Sequence, residues 1–186
     1  MNVLSPAATK ADLQGLFDAA GHCERLGSGL DISLQFVGPE DLRIFNSGFG
    51  PLASGPDLYP EALRADINSL NDAIYATFNN GVYRAGFATT QLAYDEAFAD
   101  VFATLDALEL RLSDGRAYLH GSTFTETDIR AFVTLARFDA AYHGLFKCNL
   151  RQLADYPQLS AYLARVYRLP GIADTVSIDH IKRGYY

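Results

Sequence analysis

The stretch Phe124-Thr-Glu-Thr-Asp-Ile-Arg-Ala-Phe-Val-Thr-Leu-Ala136 carries the best-defined helix start in the chain. Thr125 is followed three residues later by Asp128, a capping-box spacing with Asp in the acidic position, and Phe124 and Ile129 are placed as a hydrophobic staple. Ile129, Phe132, Val133 and Ala136 then line one apolar face. Cap, staple and stripe together predict a central, buried helix. Tyr118-Leu-His-Gly-Ser-Thr-Phe124 reads as the loop that feeds it.

Upstream, a helix opens at Pro60, because proline at the first helical position forfeits no hydrogen bond. Leu63, Ile67, Leu70, Ile74 and Phe78 form its stripe, and Asn79-Asn80-Gly81 is expected to end it in a left-handed cap. A second long helix starts near Thr89-Thr90, with Tyr94, Phe98, Val101, Leu105, Leu108 and Leu112 inward and Ser113-Asp114-Gly115 as its stop. Two long helices separated by about ten residues predict an antiparallel pair. Downstream, Pro157 to Arg168 reads as a helix with Leu159, Leu163 and Val166 inward, broken by Pro170-Gly171. A short turn from Ile172 to Val176 and an aromatic, basic tail, His180-Ile-Lys-Arg-Gly-Tyr-Tyr186, follow.

The first 50 residues read differently. Ala11 to Ala20 suits a helix with Leu13, Leu16 and Phe17 as its face. Asp31 to Val37 alternates, with Ile32, Leu34 and Phe36 on one side, as a one-sided strand does. Gly48 to Pro56 reads as a linker. The expected organisation is an atypical segment and linker over residues 1–56 and an all-α helical domain over 57–186.

Composition bounds the function. The chain has 186 residues, 49% hydrophobic and 20% charged, which is ordinary for one globular domain or slightly more. A net charge of −7 argues against a nucleic-acid binder, which needs a basic face, and against a polybasic membrane-surface protein. No apolar run approaches the roughly 20 residues of a membrane span. The opening Met1-Asn-Val-Leu-Ser-Pro-Ala-Ala8 lacks a cationic, then apolar leader. Two distant cysteines, Cys23 and Cys148, do not make a disulfide framework. A soluble cytoplasmic protein is expected.

Few groups suggest chemistry. His22, His120, His143 and His180 are scattered, with no partner at metal-ligand spacing, so no metal site is expected. Lys147 could lower the pKa of Cys148, although a half-buried thiol at a helix start suits it better. His22 could serve Cys23 as a base, but Glu24 opposes thiolate formation. The skewed feature is tyrosine: eleven, with no tryptophan. Tyr83, Tyr142, Tyr185 and Tyr186 fall at helix ends or loops, off the stripes. Phenols can stack on a ring-shaped ligand and hydrogen-bond its oxygens. They can equally keep an apolar body inside and a wet hydroxyl outside, the commoner arrangement, and composition leaves both readings open.

Particular strings go further. Asp57-Leu-Tyr-Pro-Glu-Ala-Leu-Arg64, Asn80-Gly-Val-Tyr-Arg-Ala-Gly-Phe-Ala-Thr-Thr-Gln91, Thr127-Asp-Ile-Arg130, Tyr142-His-Gly-Leu-Phe-Lys-Cys-Asn149, Asp155-Tyr-Pro157 and Asp179-His-Ile-Lys-Arg183 with Tyr185-Tyr186 occur in order. Over about residues 41–186 the chain resembles the C-terminal helical domain of the xi-class glutathione transferases, the glutathionyl-hydroquinone reductases. The resemblance implies a helical bundle of transferase C-terminal type, glutathione as co-substrate, an aromatic hydroquinone substrate and a homodimer. It implies that a cysteine thiolate attacks the glutathione sulfur, the hydroquinone leaves, and a second glutathione resolves the mixed disulfide. By resemblance Tyr83 and Tyr185 line the hydroquinone pocket and assist the leaving ring, with Tyr142 and Tyr186 as further substrate-binding candidates.

The sequence also departs from that family. No Cys-Pro-Trp occurs, and Pro39 to Ser47 resembles only the last helix of the thioredoxin-like domain. Residues 1–38 are too few for that domain's four-stranded sheet. Leu145 and Gly184 stand where the family suggests histidines. The expected role is therefore the hydroquinone-pocket domain without its catalytic cysteine. The alternative is a non-catalytic helical module that binds aromatic ligands or dimerises.

Overall fold

The computed structural model describes residues 56–186, and Pro60 to Tyr186 form one compact unit. The helix, strand and linker expected before Pro56, with His22 and Cys23, lie outside the described residues. Among those described there is no strand; two isolated bridges, Tyr118 with Gly121 and His120 with Thr123, fold the loop before the central helix. The architecture is all-α.

A 3-10 turn, Glu61–Leu63, leads into α1, Arg64–Ile74, which continues as a π turn, Tyr75–Asn79. Helix α2, Gly81–Gly86, follows after one residue. The expected stop at Asn79-Asn80-Gly81 is not one. Asn80 keeps right-handed helical angles, and the Asn79 amide reaches across to the Arg130 carbonyl at 2.9 Å and the Thr134 hydroxyl at 2.6 Å. Gly81 serves a close approach instead of a cap: a Cβ there would lie 3.1 Å from Val101 Cγ2.

The long helix α3, Gln91–Leu112, starts and stops where the sequence predicts. Thr90 accepts from the Ala93 N–H, and Gly115 takes a left-handed φ of 85°. The antiparallel partner is real, but its upper half is α2. Contacts run from Thr77 with Thr104, through Gly81 with Val101, to Arg84 with Asp100.

Helix α4, Glu126–Arg137, continues as a second π turn, Phe138–Tyr142. The Asp128 carboxylate accepts the Thr125 N–H at 2.8 Å, so the capping box forms. The helix is central, but its buried face is rotated from the expected one. Thr127, Asp128, Ala131, Phe132, Thr134 and Leu135 are buried, while Val133 is 41% exposed and Ile129 and Ala136 are half-buried. Polar bonding sets this rotation: Asp128 also accepts from the Leu119 N–H and the Tyr162 hydroxyl, both at 2.9 Å, and must face inward.

Helix α5, Pro157–Tyr167, buries Leu159, Tyr162 and Val166. The tail, expected only as an aromatic, basic segment, is helix α6, Ile178–Tyr185, whose first turn is capped by Ser177. The core is a continuous apolar cluster from the π turns and all helices except α6, which is held by the half-buried Ile181 and Tyr185.

Candidate functional site

Three phenol hydroxyls meet at one point. Tyr83 Oη lies 2.5 Å from Tyr185 Oη and 3.2 Å from Tyr142 Oη, and Tyr142 Oη lies 2.9 Å from Tyr185 Oη. The residues are far apart in sequence, so only the fold joins them. Tyr83 comes from α2, Tyr142 ends the π turn that continues α4, and Tyr185 ends α6. Each π turn adds a residue to the helical repeat; the second closes with the His143 N–H on the Phe138 carbonyl at 2.8 Å. Tyr142, which follows within that turn, is swung towards α2.

The three hydroxyls differ in setting. Tyr142 is buried at 2% exposure, while Tyr83 at 36% meets solvent. Burial, then hydrogen bonds to Tyr185 and Tyr83, pushes the Tyr142 phenol far above its ordinary range. Burial also raises Tyr185. Tyr142 and Tyr185 therefore stay protonated at neutral pH and act as hydrogen-bond donors. Three such groups can satisfy one another in a closed ring, each donating once and accepting once. An oxygen of a ligand can enter by replacing one member.

Around the hydroxyls stand aromatic rings. Tyr83 packs edge-on to Tyr142 at 5.7 Å, and Tyr142 meets Tyr185 perpendicularly at 5.5 Å. Phe87, 71% exposed, stacks on Tyr83 at 6.3 Å. The fourth candidate, Tyr186, stands outside the triangle: it is 72% exposed, and its hydroxyl lies over Gly144, 2.7 Å from where a Cβ would be. Leu145 is 39% exposed, and nothing crowds Gly184.

Other candidates are placed elsewhere. Cys148 is not at a helix start but in the loop after the π turn, fully buried. Burial pushes its thiol up to about 12, the reverse of activation by Lys147. His120 is buried, with Nε2 3.1 Å from Thr127 Oγ1. Among the described residues no group of three His, Cys, Asp or Glu side chains could hold a metal, and no helix is long and apolar enough to cross a membrane.

Residues 91–165 match the family described as glutathione S-transferase, C-terminal domain. The chain is 51% identical over 148 residues to the glutathionyl-hydroquinone reductase PcpF of Sphingobium chlorophenolicum, covering 79% of this chain and 47% of that protein. It superposes with a TM-score of 0.73 and 50% identity on the glutathione-bound structure of YqjG, a glutathione transferase homologue from Escherichia coli K-12, over 78% of this chain and 48% of that one. A xi-class glutathione transferase from Natrialba magadii gives a TM-score of 0.74 at 44% identity, over 79% and 45%. The helical unit is thus similar, in sequence and in fold, to the C-terminal domain of the xi-class glutathione transferases. The chain spans about half the length of the relatives it matches.

Within this helical unit, sequence reasoning brought Tyr83, Tyr142 and Tyr185 forward but passed over Phe146 and Gly86. A Cβ at Gly86 would lie 2.3 Å from Phe146 Cγ, so glycine is needed where the ring rests on α2. No local signal marked it, since Gly86 ends α2, where a glycine is common whatever packs against it.

Proposed function

We propose that this chain supplies the hydroquinone-binding half of a glutathione-dependent reductase that removes glutathione from glutathionyl-hydroquinones. The observation that carries the reading is the hydroxyl triangle of Tyr83, Tyr142 and Tyr185. In the proposed reaction a cysteine thiolate attacks the glutathione sulfur, and the sulfur–carbon bond breaks with its electron pair going to the ring. The ring carbon then takes a proton, and a second glutathione attacks the mixed disulfide at the glutathione sulfur, releasing glutathione disulfide and the cysteine thiolate. The phenols hydrogen-bond the quinol oxygens and steady negative charge as it develops on the departing ring. Tyr83 and Tyr185, the less buried members, are the catalytic candidates; Tyr142 anchors them. Tyr186 serves as an outer contact. A homodimer is part of the same proposal.

The nucleophile is not Cys148, whose buried thiol holds its proton. No Cys-Pro-Trp occurs in the sequence, so a thioredoxin-like domain outside it is required. This same observation favours a second reading, a non-catalytic module that binds aromatic ligands or dimerises. Assay of the full chain with glutathionyl-menadiol and excess glutathione separates the two. The proposal expects menadiol binding that weakens about tenfold in Tyr83→Phe, the loss of roughly one hydrogen bond, and no turnover until a cysteine-bearing partner domain is added. Unchanged binding in Tyr83→Phe would refute the pocket. Turnover by the chain alone, abolished in Cys23→Ser, would refute the absent nucleophile.

A further inference from the structure

After Tyr142 the backbone turns back on itself. The Leu145 N–H donates to the Ala141 carbonyl at 2.9 Å, Lys147 to Gly144 at 3.3 Å and Cys148 to Tyr142 at 3.1 Å. The reversal returns Phe146 to the residue four places before it. Its ring lies 5.4 Å from the Tyr142 ring at 28°, stacked, and meets Tyr83 edge-on at 5.4 Å and Tyr185 at 5.9 Å. One apolar ring thus touches all three phenol rings, and it is only 6% exposed. Its seat is Gly86. That glycine has no left-handed φ, so its backbone alone would accept another residue. What forbids one is Phe146, whose Cγ, Cδ1 and Cδ2 would all lie within 2.7 Å of an added Cβ.

A phenol hydroxyl lies well beyond its own Cα, so a small tilt of the ring moves the oxygen by a large fraction of an ångström. Hydrogen bonds weaken steeply with such misalignment. A triangle drawn from three separate elements therefore needs a common reference surface, and among the described residues Phe146 is the one side chain in ring contact with all three.

We propose that Phe146, seated on Gly86, is the positioning residue of the hydroxyl triangle, setting the ring orientations that let Tyr83, Tyr142 and Tyr185 converge. The inference deepens the hydroquinone-pocket reading and rests on it for its consequence: Phe146 would govern how well a quinol oxygen is met without touching that oxygen itself.

The test has a ligand-free arm and a ligand arm. In the first, the full chain carries tyrosine labelled with carbon-13 at Cζ, and the Tyr142 and Tyr185 resonances are followed to pH 10.5. Wild type should show Tyr142 unionised throughout. Phe146→Leu, and independently Gly86→Ala, which displaces the ring without removing it, should bring Tyr142 towards the ordinary range of about 10. Phe102→Leu, a core change beside Phe98 and Phe138, should leave it unmoved. Wild-type titration in both site variants, or an equal shift in Phe102→Leu, overturns the proposal. In the second arm menadiol binding is measured in a double-mutant cycle. Tyr83→Phe should weaken binding about tenfold in the wild-type background and hardly at all in Phe146→Leu. An unchanged tenfold factor there overturns the positioning role. A silent Tyr83→Phe in the wild-type background defeats the hydroquinone reading, while the titration still decides Phe146.

Discussion

The Tyr94 hydroxyl donates a 2.7 Å hydrogen bond to the carbonyl of Lys147, the only non-glycine among the described residues with a left-handed backbone, φ 59°. The pair ties α3 to the reversal that carries Phe146 and Cys148. Burial, first, and the nearby Cys148 and Asp95 hold the Tyr94 phenol above its ordinary range, so it remains a donor. Tyr94→Phe should cost about 1 kcal/mol, the net value of one such bond. Lys147→Gly should instead stabilise by about 1 kcal/mol, because the left-handed conformation strains a side-chain-bearing residue. Urea unfolding of both variants checks the opposite signs; two destabilisations would show that the turn is not strained at Lys147.

Asp128 should be the least replaceable polar residue of the helical unit. It is fully buried, and its carboxylate accepts from the Thr125 and Leu119 N–H groups and the Tyr162 hydroxyl. Asp128→Ala leaves three buried donors without their acceptor, at roughly 1–3 kcal/mol each. The expected loss is about 3 kcal/mol or more, against about 1 kcal/mol for Tyr162→Phe, which removes a single bond. Comparable losses for the two would show that Asp128 does not organise the network.

How much of this could be read from the chain depends on where each partner lies. Periodicity located α3 and α5, and the Thr125–Asp128 spacing located the start of α4, because those signals are local. The rotation of α4 was not legible, since it follows from Leu119 and Tyr162 bonding to Asp128 from elsewhere. The start of α5 shows the same limit: Pro157 marks it, but its capping acceptor is Glu109, whose carboxylate takes the Gln158 and Leu159 N–H groups at 2.9 and 2.8 Å from 49 and 50 residues away. Asn80-Gly81 looked like a stop because left-handed caps and close helix contacts select the same small residue. In the site, the tyrosines drew notice by number and by resemblance. Phe146 did not, because its role comes from touching three rings and resting on Gly86.

His120 should make stability fall on mild acidification. Burial, first, and then the Arg111 charge lower its pKa from the usual 6.5, with Arg116 acting the same way and Asp128 and Asp66 opposing. The unfolded chain thus binds a proton at a pH where the folded chain does not. Stability from neutral His120 is present above about 6.5 and is lost as pH falls through the folded value below it. The urea midpoint should drop between pH 7.5 and 5.5 in the wild type and drop less in His120→Asn. Equal drops would assign the acid sensitivity to other groups.

Cys148 reverses that sign at the alkaline end. Its folded thiol is pushed up to about 12 by burial, whereas an exposed cysteine ionises near 8.5. Folding therefore holds a proton that the unfolded chain gives up. The contribution is complete below about 8.5 and is lost progressively as pH rises towards 12. Reactivity follows from the same geometry, since the thiolate is the reacting form and the side chain is fully buried. In a Cys23→Ser background a disulfide reagent at pH 8 should modify Cys148 only at the rate of unfolding, and about as fast as a free thiol once urea is added. Cys148→Ala should abolish that slow phase and flatten the stability profile above pH 9. Rapid modification of the folded chain would mean that the loop opens in solution, and would restore Cys148 as a candidate nucleophile.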